Sequence, residues 1–345
     1  MPRTRNASPT LNGFLFQIDV AIYLMIKYIE EVDKIRVEGI KEDIELELTN
    51  NKKIMVQVKS QWDNLENKNN VLGNLESSLK SLSESNNRDV RDLMYVSNLP
   101  DPLKNDDAEF TTYHGVTLKK YSELKDDSKE VINNKLIKLF GEDTTKFDIE
   151  KLWIIRIPFF GEDDDEKHKF IYEMVKEFLN TIGDRISYKN FVYFWESKFL
   201  RNGSEKPKIY ISKKDISNYL VLACLEGYDA STDYTKINAN QDDYEEAYDK
   251  YSEFIEEKQD CYEAICKVNS LYERTNKRTH ISKEDFVQKE RIKLYNYFFN
   301  FDKKNISEFN ENDAIDMIVA QIIAYVILRK RNMINRISER VLKWL

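Results

Sequence analysis

Cysteine and histidine are scarce, with three of each in 345 residues. Cys224, Cys261 and Cys266 form no CxxC pair and no Cys/His zinc spacing. An odd number of cysteines among apolar or helical neighbours argues for a reducing compartment rather than a disulfide framework. His114, His168 and His280 are far apart in the chain, and each is expected as an ordinary surface or turn residue. Long hydrophobic runs are missing too. The longest, Ala314–Leu328, carries Asp316 and Gln321 and is too short to span a bilayer. Residues 1–12 are polar with two arginines, and the apolar run near Phe14 is interrupted by Gln17 and Asp19, which does not fit a secretory signal. These absences predict a soluble, cytoplasmic protein.

An excess of positive charge is also lacking. The net charge is -8, with 33% charged and 41% hydrophobic residues. The hydrophobic share is that of a folded protein, and the length suits two domains. Net acidity argues against whole-surface binding to nucleic acid. It leaves room for a local basic groove, because phosphate contacts depend on local charge.

What is present is ordered in two halves. Residues 1–11 read as an arm. Gly13 to Glu31 reads as a helix burying Phe14, Ile18, Ala21, Ile22, Met25 and Ile29. Strands are expected at Lys34–Ile40, Asp43–Leu48 and Lys53–Lys59, with turn chemistry at Asn50 and Asn51. A helix over Val71–Ser83, a strand over Asp92–Ser97, a helix over Ser128–Leu139, a strand over Leu152–Phe160 and a helix over Lys167–Ile182 follow. This alternation predicts an α/β layer with a mixed sheet flanked by helices.

After about residue 200 the pattern becomes helical. Arg201–Pro207 combines Gly, Ser and Pro and is the best linker candidate, with a short strand at Lys208–Ile211. Long helices are expected at Asp243–Asn276, Lys283–Phe301 and Asn312–Trp344. The resulting division is 1-203 for the α/β domain and 204-345 for a mainly helical domain. The acidic runs Glu162–Glu166 and Asp242–Glu246 read as solvated helix starts. The stripe Tyr244, Tyr248, Tyr251, Phe254 and Tyr262, and the stripe Ile315, Ile318, Ile322, Val326 and Leu328, read as helical core, with an exposed part available to a subunit interface. Arg329, Lys330, Arg331 and Arg336 give the last helix a basic end, suited to its dipole or to a phosphate.

The period of two carries the chemistry. Asp43, Glu45 and Glu47 share one strand face, and Met55, Gln57 and Lys59 share a face of the next strand. If the two faces coincide across a hairpin, a carboxylate, an amide oxygen and an ammonium converge. Phosphodiester hydrolysis uses that mixture: oxygen ligands for Mg²⁺ (or Mn²⁺) and a cation to orient water or stabilise developing charge. The bland alternative keeps Asp43 as an exposed strand residue and Lys59 as a guard against edge aggregation.

Asp43 followed by Gln57-Val58-Lys59 resembles the PD-(D/E)XK nuclease motif in the variant where Gln replaces the second acid. Taken with Gly13-Phe14-Leu15-Phe16-Gln17 and Val37-Glu38-Gly39-Ile40-Lys41-Glu42-Asp43-Ile44, the stretch resembles the effector endonucleases of CD-NTase-associated anti-phage systems. The resemblance implies a restriction-endonuclease-like fold and Mg²⁺-dependent cleavage of double-stranded DNA. It implies metal binding by Asp43, Gln57 and Glu38, catalysis with Lys59, and Gln17 reaching the site from the first helix. Glu38 and Gln17 have ordinary alternatives as a surface acid and a helix-edge hydrogen bond, and Glu45 is a substitute ligand of lower rank. No ligand-sensing domain of the cyclic-nucleotide-triggered members is recognisable. The helical half looks more like the assembly region of nuclease subunits in Lamassu-type complexes, which implies an SMC-like ATPase and an accessory subunit as partners. Control by those partners or by homo-oligomerisation is then expected. A silent scaffold subunit and a ribonuclease are the alternatives.

Overall fold

The computed structural model describes residues 8–61, 68–104, 109–110, 115–141, 143, 146–161, 163–182, 187–204, 209–226, 234–257, 261–299, 304 and 310–342. The chain divides into two compact units. The first comprises Met1–Phe178 with Val192–Lys213, and the second comprises Leu179–Phe191 with Lys214–Lys343.

The first unit is built on one seven-stranded mixed sheet. Its strands are β1 (Val32–Val37), β2 (Ile44–Leu48), β3 (Lys53–Lys59), β4 (Val90–Ser97), β5 (Thr117–Lys120), β6 (Leu152–Arg156) and β7 (Ile211–Ser212). Their spatial order is β5-β6-β4-β3-β2-β1-β7. β1, β2 and β3 form an antiparallel meander, while β3, β4 and β6 run parallel. β5 and β7 close the two edges in antiparallel fashion. The carboxyl ends of β1, β3, β4 and β6 therefore meet the amino end of β2 at one end of the sheet. In open α/β sheets that end is where ligands bind.

Sequence pattern explains the layers. The central strands read as nearly continuous apolar runs because both faces are covered. Helix α1 (Ser8–Lys27) packs on β1 and β3, and α2 (Lys68–Ser85) packs on β3 and β4. Helix α3 (Asp126–Phe140) packs on α2. On the α2 side, Leu75, Leu79 and Leu82 meet Met55, Leu93, Tyr95, Leu152 and Ile154 of the sheet in one buried cluster. Helix α1 is buried on nearly every side from Phe16 to Ile26, which its apolar composition allows and which makes the polar Gln17 and Asp19 on it conspicuous. The remaining helices of this region are α4 (Asp164–Lys167), α5 (Lys169–Ile182) and α6 (Tyr188–Ser204).

The second unit is helical: α7 (Lys213–Glu226), α8 (Gln241–Glu257), α9 (Cys261–Thr279), α10 (Lys283–Lys289), α11 (Arg291–Phe299), α12 (Glu311–Arg329) and α13 (Arg331–Leu342). Helix α12 contacts α8 to α11 and α13, and from Val319 to Leu328 every residue is buried. A helix apolar on all sides belongs at the centre of a bundle. Asn310 caps it by accepting the Asp313 N–H at 2.9 Å, while the Asp313 carboxylate accepts the Asn310 N–H at 2.9 Å. Tyr244 and Tyr251 of α8 are buried, with Tyr248 stacked between them. The side chains of Phe254 and Tyr262 lie outside the described residues. No described helix is long and apolar enough to cross a membrane.

Several expectations need correction. The strand expected over Leu152–Phe160 ends at Arg156, because Pro158 cannot donate to a ladder. The first half of the linker candidate is the last turn of α6, and its Asn202 is buried. Strand β5 and helices α6 and α7 were not expected. The long helix Lys283–Phe301 breaks at Glu290, and Asn312–Trp344 breaks at Lys330, each outside helical geometry. Arg331 pairs with Glu273.

Candidate functional site

The β2–β3 hairpin sets the register. Ile44 lies opposite Val56 and Glu45 opposite Met55, so the faces bearing Asp43 and Gln57 coincide. The turn holds this register through Leu48 N–H to Lys52 C=O at 2.8 Å, with Asn51 in the left-handed region at φ 62°. Asn51 tolerates that conformation better than most residues, as the sequence anticipates.

At the end of the hairpin the side chains meet. The Gln57 amide donates from Nε2 to Asp43 Oδ2, and the Val58 N–H donates to the same oxygen at 2.8 Å. Gln17, buried on α1, donates from Nε2 to the Asp43 carbonyl at 3.0 Å. The Glu38 N–H donates to that carbonyl too, at 2.7 Å. Burial pushes the Asp43 carboxyl above the usual carboxylate range. The Val58 N–H and the nearby Lys59 ammonium oppose this, and the Glu38 carboxylate adds to it. All five residues singled out in the sequence thus gather at one sheet end: Gln17, Glu38, Asp43, Gln57 and Lys59.

The connection from β1 to β2 is tightly built. Strand β7 pairs with β1 only at Lys34 and Ile35. The Val37 N–H is taken instead by Asn202 Oδ1 at 2.9 Å, and Asn202 donates to the Ile209 carbonyl at 2.9 Å. This fixes the backbone one residue before Glu38, which has φ 51°. A Cβ at Gly39 would lie 2.5 Å from Glu45 Oε1 and 2.7 Å from the Glu42 carbonyl, so only glycine fits there.

Two neighbouring acids have other duties. Glu45 Oε1 accepts the Lys41 N–H at 2.9 Å, and its Oε2 accepts from Arg36 Nε at 3.0 Å and from Tyr210 Oη at 3.1 Å. The Arg36 guanidinium also lies over the Tyr210 ring, 4.1 Å from its centre. Burial raises the Glu45 carboxyl, but these donors outweigh it and hold the group below its ordinary range. With both oxygens engaged, Glu45 does not serve as the substitute ligand. Glu42 turns toward α2, accepting from Ser81 at 2.9 Å and Ser85 at 2.6 Å. On the other side of the site, Asn98 follows β4 and clamps Gln61. It accepts the Gln61 N–H at 2.9 Å and donates to the Gln61 carbonyl at 3.1 Å, which fixes the chain just beyond Lys59.

One polar group was missed by the sequence. His168, between α4 and α5, is 5% exposed and not a surface residue. Its Nδ1 lies 2.8 Å from Oδ2 of the fully buried Asp19 on α1, and 3.6 Å from Glu196 Oε1 on α6. The Phe159 ring packs T-shaped with the imidazole, ring centres 5.2 Å apart, and the Tyr172 ring lies tilted at 5.7 Å. Burial raises the Asp19 carboxyl, and His168 counters it. His280 is exposed, and His114 lies outside the described residues. Comparison with family models, with curated proteins and with solved structures finds no match for the chain.

Proposed function

We propose that the chain is a metal-dependent phosphodiesterase, a PD-(D/E)XK-type endonuclease acting on double-stranded DNA. One observation carries the reading. A five-residue set spread over α1, the β1–β2 connection and the β2–β3 hairpin converges at the carboxyl end of the sheet, in the order of the nuclease motif.

The donor chemistry fits Mg²⁺. The site offers carboxylate and amide oxygens, which suit a hard cation. Asp43 and Glu38 outnumber the single Lys59, so the cluster is net negative and attracts a cation. Asp43, Gln57 through its Oε1, and Glu38 would hold the ion, which when bound supplies an activated water and neutralises phosphate charge. Lys59 orients the attacking water and stabilises charge on the phosphate as it develops. Gln17 positions the Asp43 backbone from behind. Lys41 in the same connection adds a positive charge at the sheet end, the local focus that an acidic chain needs to hold a phosphate backbone.

In this reading the protein is the cytoplasmic effector of a bacterial anti-phage system of Lamassu type. The helical unit docks an SMC-like ATPase and an accessory subunit, or brings copies together on activation. Purified chain with Mg²⁺ and supercoiled plasmid, with and without its neighbouring-gene products, tests the proposal. Cleavage that disappears with EDTA and in Lys59→Ala supports it. Cleavage undiminished in Lys59→Ala refutes the site, and preferential cleavage of labelled RNA refutes the substrate. Equal cleavage by the free chain and the assembly refutes the regulation.

A further inference from the structure

We infer that Asp19, His168 and Glu196 form a binding site for a divalent transition-metal ion, zinc being the simplest occupant, separate from the Asp43 centre. Three elements distant in sequence, α1, the α4–α5 junction and α6, each bring one ligand atom, all within 4.8 Å of one another. Four-coordinate zinc holds nitrogen and oxygen donors at roughly 2.0–2.2 Å, which sets neighbouring donors about 3.3–3.6 Å apart. The two separations from His168 Nδ1, 2.8 and 3.6 Å, bracket that range closely, so small rotations of side chains suffice.

Charge and burial point the same way. Asp19 is 0% exposed, and no described hydrogen-bond donor reaches its Oδ1. A buried carboxylate oxygen without a donor is costly unless a cation takes its lone pair. With a neutral imidazole, the three groups carry two negative charges. A dication would balance those two charges. Phe159 and Tyr172 flank the buried imidazole. An imidazole nitrogen among the donors favours zinc, iron, copper or nickel over Mg²⁺, the reverse of the oxygen set at Asp43.

Such an ion would staple α1 to α6 and to the start of α5. Helix α1 carries Gln17 two residues before Asp19, so the staple also steadies the helix that supports Asp43. The proposal stands independently of phosphodiester cleavage.

The test uses the full chain produced in zinc-supplemented medium, desalted and analysed for metal. Wild type and Asp43→Ala are expected to retain about one zinc per chain, and His168→Ala and Glu196→Gln to lose it. Cobalt added to chelator-treated wild type should give visible ligand-field absorption that Glu196→Gln lacks. Zinc addition should raise the melting temperature of the stripped wild type, because the ion binds only the folded chain. Should His168→Ala fail to fold, the wild-type content and the Glu196→Gln variant decide. Wild type with less than about a tenth of an equivalent, and no change in melting on adding zinc, overturns the inference. Zinc retained equally by Glu196→Gln and lost by Asp43→Ala also overturns it, by moving the ion to the other centre.

Discussion

The Asp43 centre and the His168 cluster share helix α1 yet are assembled by different means. At Asp43, four of the five side chains come from a continuous stretch between Glu38 and Lys59, aligned by one hairpin register. At His168, the three side chains are separated by 149 and 28 residues, taking 168 − 19 and 196 − 168, and meet only when helices close over the sheet. The first arrangement is held by backbone N–H groups as much as by side chains. The second depends wholly on tertiary packing. A site of the first kind survives modest loosening of the fold, whereas one of the second kind is lost when its helices separate.

Substitutions can break this contrast. The largest effect is expected from Asp19→Ala. Removing one member of a buried charged cluster breaks its closest pair, Asp19 with His168, and urea unfolding should show a loss of about 3–5 kcal/mol. A loss below about 1 kcal/mol would make the cluster as tolerant as a surface pair. Next is Lys59→Ala, for which plasmid cleavage should fall by about 100-fold or more with the melting temperature unchanged. A parallel collapse of stability would remove the distinction between a centre for chemistry and one for packing. Asn98→Ala removes both side-chain bonds to the Gln61 backbone, and a cost of roughly 1–3 kcal/mol is expected in the same denaturation assay. The smallest effect is expected at Gln17→Ala, about 1 kcal/mol of stability, because the Asp43 carbonyl keeps its bond from Glu38. Cleavage lost entirely in Gln17→Ala would show that the helix does more than support.

What the sequence made legible follows from the same contrast. Period-two alternation and the Asn50–Asn51 turn located β2 and β3 and put Asp43 against Gln57, because hairpin geometry is local. The mixed sheet and the helical second half were readable from pattern for the same reason. His168 was misjudged, since nothing within a few residues of it signals Asp19 or Glu196. Glu45 had the correct face but the wrong role: its partner Arg36 is nine residues back, and Tyr210 comes from far downstream. Asn202 looked like part of a linker because Gly203 and Ser204 follow it, yet it caps the free N–H of Val37. Helix α6 was hidden by the same glycine and serine.

Glu38 has a consequence for how such a protein changes under selection. Its backbone sits at φ 51°, where glycine or asparagine rests more easily than a residue with a longer side chain. Glu38→Gly should relieve that strain, by about 1 kcal/mol in thermal or urea unfolding, while deleting a carboxylate beside Asp43. A library ranked by heat resistance would therefore enrich glycine at this position, and one ranked by DNA cleavage would restore the acid. The residue that each screen retains would reveal which demand the position answers to.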